Sequence, residues 1–253
     1  MTTSAPRSDV APDPADLRPY SARVWRLVEA QHRISTNRLA TSAEDQALLE
    51  TLVEEVKPPL PRAARGLHYL LATPFRYGHA LPSRFRRAGE RPGIFYASEK
   101  AVTAVAETAY RRLLFFSRSP GFRPPTSTIE HSMFSVAVAI DRLLDLTVAP
   151  YAAAAPRWTA ATDYTACQAI AAAARAIGTQ AIRYASVRDP AHGANLALFD
   201  PAAFRSKTPR IEQTWHFRFE TGRMTAFAAL PSAERYSFTF AQFGLAPPDG
   251  AAS

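Results

Sequence analysis

Residues 94–116 read IFYASEKAVTAVAETAYRRLLFF, and within them the apolar period changes from that of a strand to that of a helix. Ile94-Phe95-Tyr96-Ala97 is a short run of β-favouring residues entered through a Pro92-Gly93 turn. Ser98 can then cap a helix over 99–115, with Val102, Ala106, Ala109 and Leu113 on one face. Downstream, the pattern predicts a strand over 132–140 and an Ala-rich helix, TACQAIAAAARAIG, that stops at Gly178. Further strands are expected at AIRYAS, NLALF, QTWHFRFE and RMTAFAA, the last two joined by a hairpin at Glu220-Thr221-Gly222. Strands and helices mixed without a regular βαβ repeat predict an α+β fold.

Upstream and through the same strand, the segment 66–98 reads as irregular and strand-like. A helix is expected after Thr41-Ser42, with Leu48, Leu49, Leu52, Val53 and Val56 at helical spacing and Lys57-Pro58-Pro59 as its stop. Val24, Leu27 and Val28 also fit helical spacing, so 21–60 reads as a helical arm. Residues 1–20 carry Pro6, Pro12, Pro14 and Pro19 among polar residues and are expected to be disordered, as is the tail 245–253. That leaves 61–244 as the main domain.

With 253 residues, 47% hydrophobic and 21% charged, the chain can build a sizeable core, and a wholly disordered or fibrous protein is excluded. The net charge of +8 permits nucleic acid, an anionic surface or a phosphate-bearing small molecule as partner. Cys167 is the single cysteine, which rules out an internal disulfide and a Cys-dominated zinc site, and it reads as a buried apolar residue of the Ala-rich helix. The six histidines show no ligand spacing, so no metal is expected. The N-terminus has no apolar h-region and no apolar run reaches bilayer length, so a cytoplasmic location without membrane contact is expected. Walker, GxGxxG, GxSxG and HExxH motifs are absent.

Three features carry chemistry. Arg62, Arg65, Arg76, Arg84, Arg86, Arg87 and Arg91 are opposed in sequence only by Glu90, and guanidinium forks suit phosphates, although a solvated basic surface explains any one of them. Glu107, taken alone, reads as a surface residue paired with Arg111 at i,i+4. Ser186, in RYASVRDP, taken alone reads as a turn hydroxyl.

Their order decides otherwise. SRFRRAGERPGIFYAS, then TAVAETAYRR, then RYASVRDP and NLALFDP, together resemble the RES domain family, named for its Arg, Glu and Ser. Arg84 matches the family arginine, Phe85 its aromatic neighbour, Tyr96 the strand tyrosine, Glu107 the helix glutamate, Ser186 the serine and Asn195 the downstream asparagine. Arg86 stands where the family often has Asn, which leaves Arg84 and Arg86 as alternatives for the functional arginine. Ser83 replaces a family Gly and Ala185 a family Pro.

The resemblance implies an ADP-ribosyltransferase-like mixed sheet with flanking helices, and a bacterial toxin that consumes NAD as its substrate. The implied reaction breaks the nicotinamide–ribose bond, with inorganic phosphate or water as acceptor. The implied alternative transfers ADP-ribose to a protein. A carboxylate beside the ribose suits the oxocarbenium-like state of such a cleavage, which is the role implied for Glu107. Arg84 would clamp the diphosphate or ribose, Tyr96 and Ser186 would hold the nicotinamide ribose, and Phe85 and Asn195 would complete the pocket. The implied partner is an Xre-type antitoxin, with a homo-oligomer allowed. A basic nucleic-acid-binding or interaction protein without catalysis is the alternative from a different class.

Overall fold

The computed structural model describes residues 11–30, 42–119, 121–123, 125 and 127–248. The architecture is mixed α+β, as the sequence predicts: an eight-stranded sheet with helices packed on it. Its strands are β1 (Arg18–Glu29), β2 (Phe95–Ser98), β3 (Ile129–Asp145), β4 (Ala181–Ala185), β5 (Ala194–Leu198), β6 (Arg210–Glu220), β7 (Arg223–Ala228) and β8 (Arg235–Thr239). The helices are α1 (Ala43–Glu55), α2 (Tyr69–Arg76), α3 (Ala101–Ser117), α4 (Ala155–Trp158) and α5 (Thr165–Ala176).

The long strand β3 organises the sheet. One edge pairs with β1 from His131 to Leu143. The opposite edge pairs first with β6, antiparallel, and then at Leu143–Asp145 with β4, parallel. The sheet therefore forks along β3, with β6, β7 and β8 on one branch and β4, β5 and β2 on the other. Strand β2 meets β1 at a single register pair, Trp25↔Ser98, which brings the second branch back to β1. β5 is buried along its whole length, as a strand covered on both faces must be.

Helix α3 packs on β1, β2, β7 and β8, and its buried stripe of Val105, Ala109, Leu113 and Phe116 meets Trp215, Phe217 and Phe219 of β6. α2 inserts Leu71 and Phe75 against Phe95, Phe134 and Val136. α5 covers β4 and β5 with Cys167, Ile170, Ala171 and Ala174. The Thr221-Gly222 hairpin has positive φ at both central residues, 48° and 72°, which matches the twist of the flanking strands.

Several sequence expectations change. Residues 18–29 form a strand and not the first part of a helical arm, because eleven register pairs with β3 override the local i, i+3, i+4 pattern. Among the described residues of that arm, 43–55 is helical, and Ser42 caps it by accepting from the Asp45 N–H at 3.1 Å. Residues 11–20 are ordered by the same strand and a short 3-10 turn, Pro14–Asp16. The disorder expected for 1–10 and 249–253 lies outside the described residues, as does the Thr41 cap candidate, and 245–248 carry no helix or strand. The segment 69–76, expected to be irregular, is α2, with Pro74 inside it. Ser98 is not the cap of α3; Lys100 stands at that position, and the Ser98 hydroxyl is used elsewhere.

Candidate active site

A cleft of 370 Å³ opens between α3 and the edge where β1 and β2 meet. Its volume falls in the range of small-molecule sites. Tyr96 and Ser98 of β2, Glu107 of α3, Tyr184 of β4 and Asn195 of β5 line one side. Trp25 and Arg26 of β1, Arg111 and Arg112 of α3, and His131 of β3 line the other.

Glu107 is held by a chain of hydrogen bonds that begins in the sheet. Ser98 Oγ donates to Asn195 Oδ1 at 2.6 Å, fixing the amide so that Nδ2 donates to Glu107 Oε1 at 2.7 Å. Ser186 Oγ donates to the same oxygen at 2.7 Å. That hydroxyl accepts in turn from the Arg188 and Asp189 N–H groups, both at 3.1 Å, so its only proton points at the carboxylate. Thr103 Oγ1 donates to Asp189 Oδ2 at 2.6 Å and ties this loop to the first turn of α3. One carboxylate oxygen is thus pinned by two neutral donors, while Oε2 has no hydrogen bond among the described residues. The i,i+4 ion pair with Arg111 is not formed.

Two cations line the same cleft without an acidic partner among the described residues. Arg26 donates through Nη1 to Tyr96 O at 3.1 Å and lies 4.9 Å from the Phe95 ring centroid. Burial, and then the neighbouring Arg111, push its guanidinium down to about 9, so it stays protonated at neutral pH. Arg111 is exposed. Arg112 differs, since it forms an ion pair with Glu29. His131 is buried, and that burial, helped by Arg112, takes its imidazole down to about 4. It enters the cleft uncharged. Burial and the Glu107 carboxylate raise the Tyr184 phenol well above its usual value, and burial raises that of Tyr96.

The sequence candidates therefore divide. Tyr96, Glu107 and Asn195 line the cleft, and Ser186 lies behind Glu107. The Tyr96 hydroxyl is engaged by Ser83 Oγ at 2.9 Å and by the Phe85 N–H at 3.2 Å. Arg84, Phe85 and Arg86 do not line it. The buried Arg84 donates to the carbonyls of Trp158 and Ala160 at 2.8 and 3.0 Å, and Arg86 donates to those of His79, Leu81 and Arg87. Phe85 is fully buried against Tyr184. Arg26, Arg111 and His131 are among the cleft residues that sequence reasoning missed. Arg26 was legible in principle: in a strand it falls on the same face as Val24 and Val28, a charge on an otherwise apolar side.

Among the described residues, no cluster of His, Cys, Asp or Glu could hold a metal ion, and no helix is long and apolar enough to cross a membrane. A profile of the RES domain matches residues 59–220, a range that contains Tyr96, Glu107, Ser186 and Asn195 but not β1. No curated protein matches the chain. Among solved structures, the crystal structure of the M. tuberculosis MbcT–MbcA toxin–antitoxin complex is similar at 15% identity and a TM-score of 0.45, covering 81% of this chain and 88% of that one.

Proposed function

From the premise that the chain belongs to the RES domain family, we propose that it consumes NAD by breaking the bond between nicotinamide and ribose C1′ in the cleft around Glu107. Nicotinamide leaves with the bonding electrons as a neutral ring. The oxygen of water or phosphate then bonds to C1′, and the acceptor's proton goes to solvent. Positive charge develops on the ribose in the transition state, and a carboxylate fixed beforehand stabilises it without reorganisation. The observation that carries this reading is the Glu107 carboxylate, pinned at one oxygen by Ser186 and Asn195, its other oxygen without a hydrogen bond among the described residues. Ser186 is a positioning residue here, since its hydroxyl acts through Glu107. Arg26 and Arg111 take the phosphate-binding role that the resemblance gives to Arg84, because they line the cleft and have no carboxylate partner among the described residues. The resemblance also supports a toxin role and an Xre-type antitoxin partner that inhibits by covering the cleft.

Glu107→Gln tests the proposal. The Gln side-chain oxygen can still accept from Ser186 and Asn195, so the substitution removes charge while keeping the bonds. Nicotinamide release from NAD is expected to fall by at least about two orders of magnitude, with the thermal melt preserved. Full activity in the folded variant would overturn the assignment. ADP-ribose attached to a protein, with no free ADP-ribose or its phosphate, would move the reaction to group transfer.

A further inference from the structure

A second depression, of 280 Å³, lies on the α2 side of β1. Val28, Tyr69, Thr73, Pro74, Ser132 and Ile211 border it, and Arg26 and Glu29 belong to both it and the main cleft. The sheet explains how the two connect. β1 meets β2 only at Trp25↔Ser98, so from Arg26 to Glu29 that edge of β1 has no strand partner among the described residues. The Arg26 guanidinium stands at this open edge, between the two depressions.

The chemistry of the second depression differs from that of the first. Tyr69 and Ile211 are large side chains left 61% and 59% exposed. An aromatic face and an aliphatic surface suit a flat heterocycle, and stacking of this kind accepts any base. The hydroxyls of Thr73 and Ser132 have no hydrogen bond among the described residues and can serve ring nitrogens or a ribose. At the junction the Arg26 cation stands with Glu29, whose carboxylate is taken up by its ion pair with Arg112, so a passing diphosphate meets the Arg26 charge.

We propose that this second depression is the adenosine subsite of a dinucleotide that crosses the open edge of β1, its diphosphate against Arg26 and Arg111. The inference rests on the cleavage reading for the identity of the dinucleotide. It makes the chain a reader of the whole molecule and not of the nicotinamide half alone.

Nicotinamide mononucleotide contains the same scissile bond and lacks the adenosine half, so it separates the two depressions. NAD is expected to exceed it in kcat/KM by at least tenfold. Tyr69→Ala should raise KM for NAD at least fivefold and lower the NAD preference by the same factor. Calorimetry with ADP-ribose supplies a readout without turnover, and its affinity should fall at least fivefold in Tyr69→Ala and in Ile211→Ala. Both side chains are exposed, so neither change removes core packing. NAD cleavage with no preference over the mononucleotide, and with ADP-ribose binding indifferent to both substitutions, overturns the subsite and leaves the cleavage reading standing. ADP-ribose binding that depends on Tyr69, with neither nucleotide cleaved, leaves the subsite standing and removes the cleavage reading.

Discussion

Arg26 and Arg84 are both guanidinium groups removed from bulk water, and their surroundings give them opposite expected effects. Arg84 satisfies two backbone carbonyls at 2.8 and 3.0 Å, so truncating it strands acceptors in the interior at about 1–3 kcal/mol each. Arg26 has one carbonyl partner, no carboxylate among the described residues, and Arg111 beside it, so its charge is held at a cost to the fold. Arg84→Ala is therefore expected to lower Tm by several degrees, with kcat/KM for NAD changed little per folded molecule. Arg26→Met, which keeps an apolar stem, is expected to leave Tm level or raise it while KM for NAD rises at least tenfold. Thermal melts and steady-state kinetics on the two variants check both signs. A reversal of the pattern would return the phosphate role to Arg84.

The strand–helix unit β2–α3 was legible because its two periods change within a few residues, and because Tyr96 and Glu107 sit in local patterns. β1 was not, since Val24, Leu27 and Val28 satisfy a helical period and what decides the matter is pairing with β3, more than a hundred residues away. α2 was hidden by Pro74 and its short length, and β8 by the modest apolar content of RYSFT. Ser98 looked like a cap because caps are the commonest use of a serine before a helix; its partner, Asn195, is visible only once β2 and β5 are paired. The same cross-element dependence makes Gly193 sensitive. A Cβ there would stand 2.3 Å from Thr103 Oγ1 and 2.7 Å from Asp189 Oδ2, inside the contact that ties α3 to the Ser186 loop. Gly193→Ala is expected to push the two elements apart, costing about 1–3 kcal/mol in chemical denaturation and lowering kcat at least tenfold by shifting the donors of Glu107. A variant with unchanged denaturation midpoint and turnover would show that the helix–loop contact does not set the site.

At the scale of the whole molecule, the forked sheet places a histidine where its charge would oppose folding. His131 stands on β3 where that strand is flanked by β1 and β6, packed on Phe217 and next to the Arg112–Glu29 pair at the cleft wall. Burial, and secondarily Arg112, lower its imidazole to about 4; the Ile129 carbonyl and Glu29 pull weakly the other way. In the unfolded chain the same group titrates near 6.5. Between these values the unfolded chain binds more protons, so stability is full above about pH 6.5 and is lost as pH falls towards 4, by at most about 3 kcal/mol from this residue. His131→Gln removes the titration while keeping a polar side chain at the position. Denaturant midpoints measured from pH 7 to pH 4 should therefore fall more steeply for the native chain than for the variant, by close to one proton over that window. The cleft should lose NAD affinity over the same range only to the extent that the fold loosens, because an imidazolium there adds a cation to the cleft that Arg26 and Arg111 also line and not a competing anion. Parallel slopes in the two proteins would mean that His131 stays neutral or charged alike in both states, and that the acid response of the fold resides in its carboxylates.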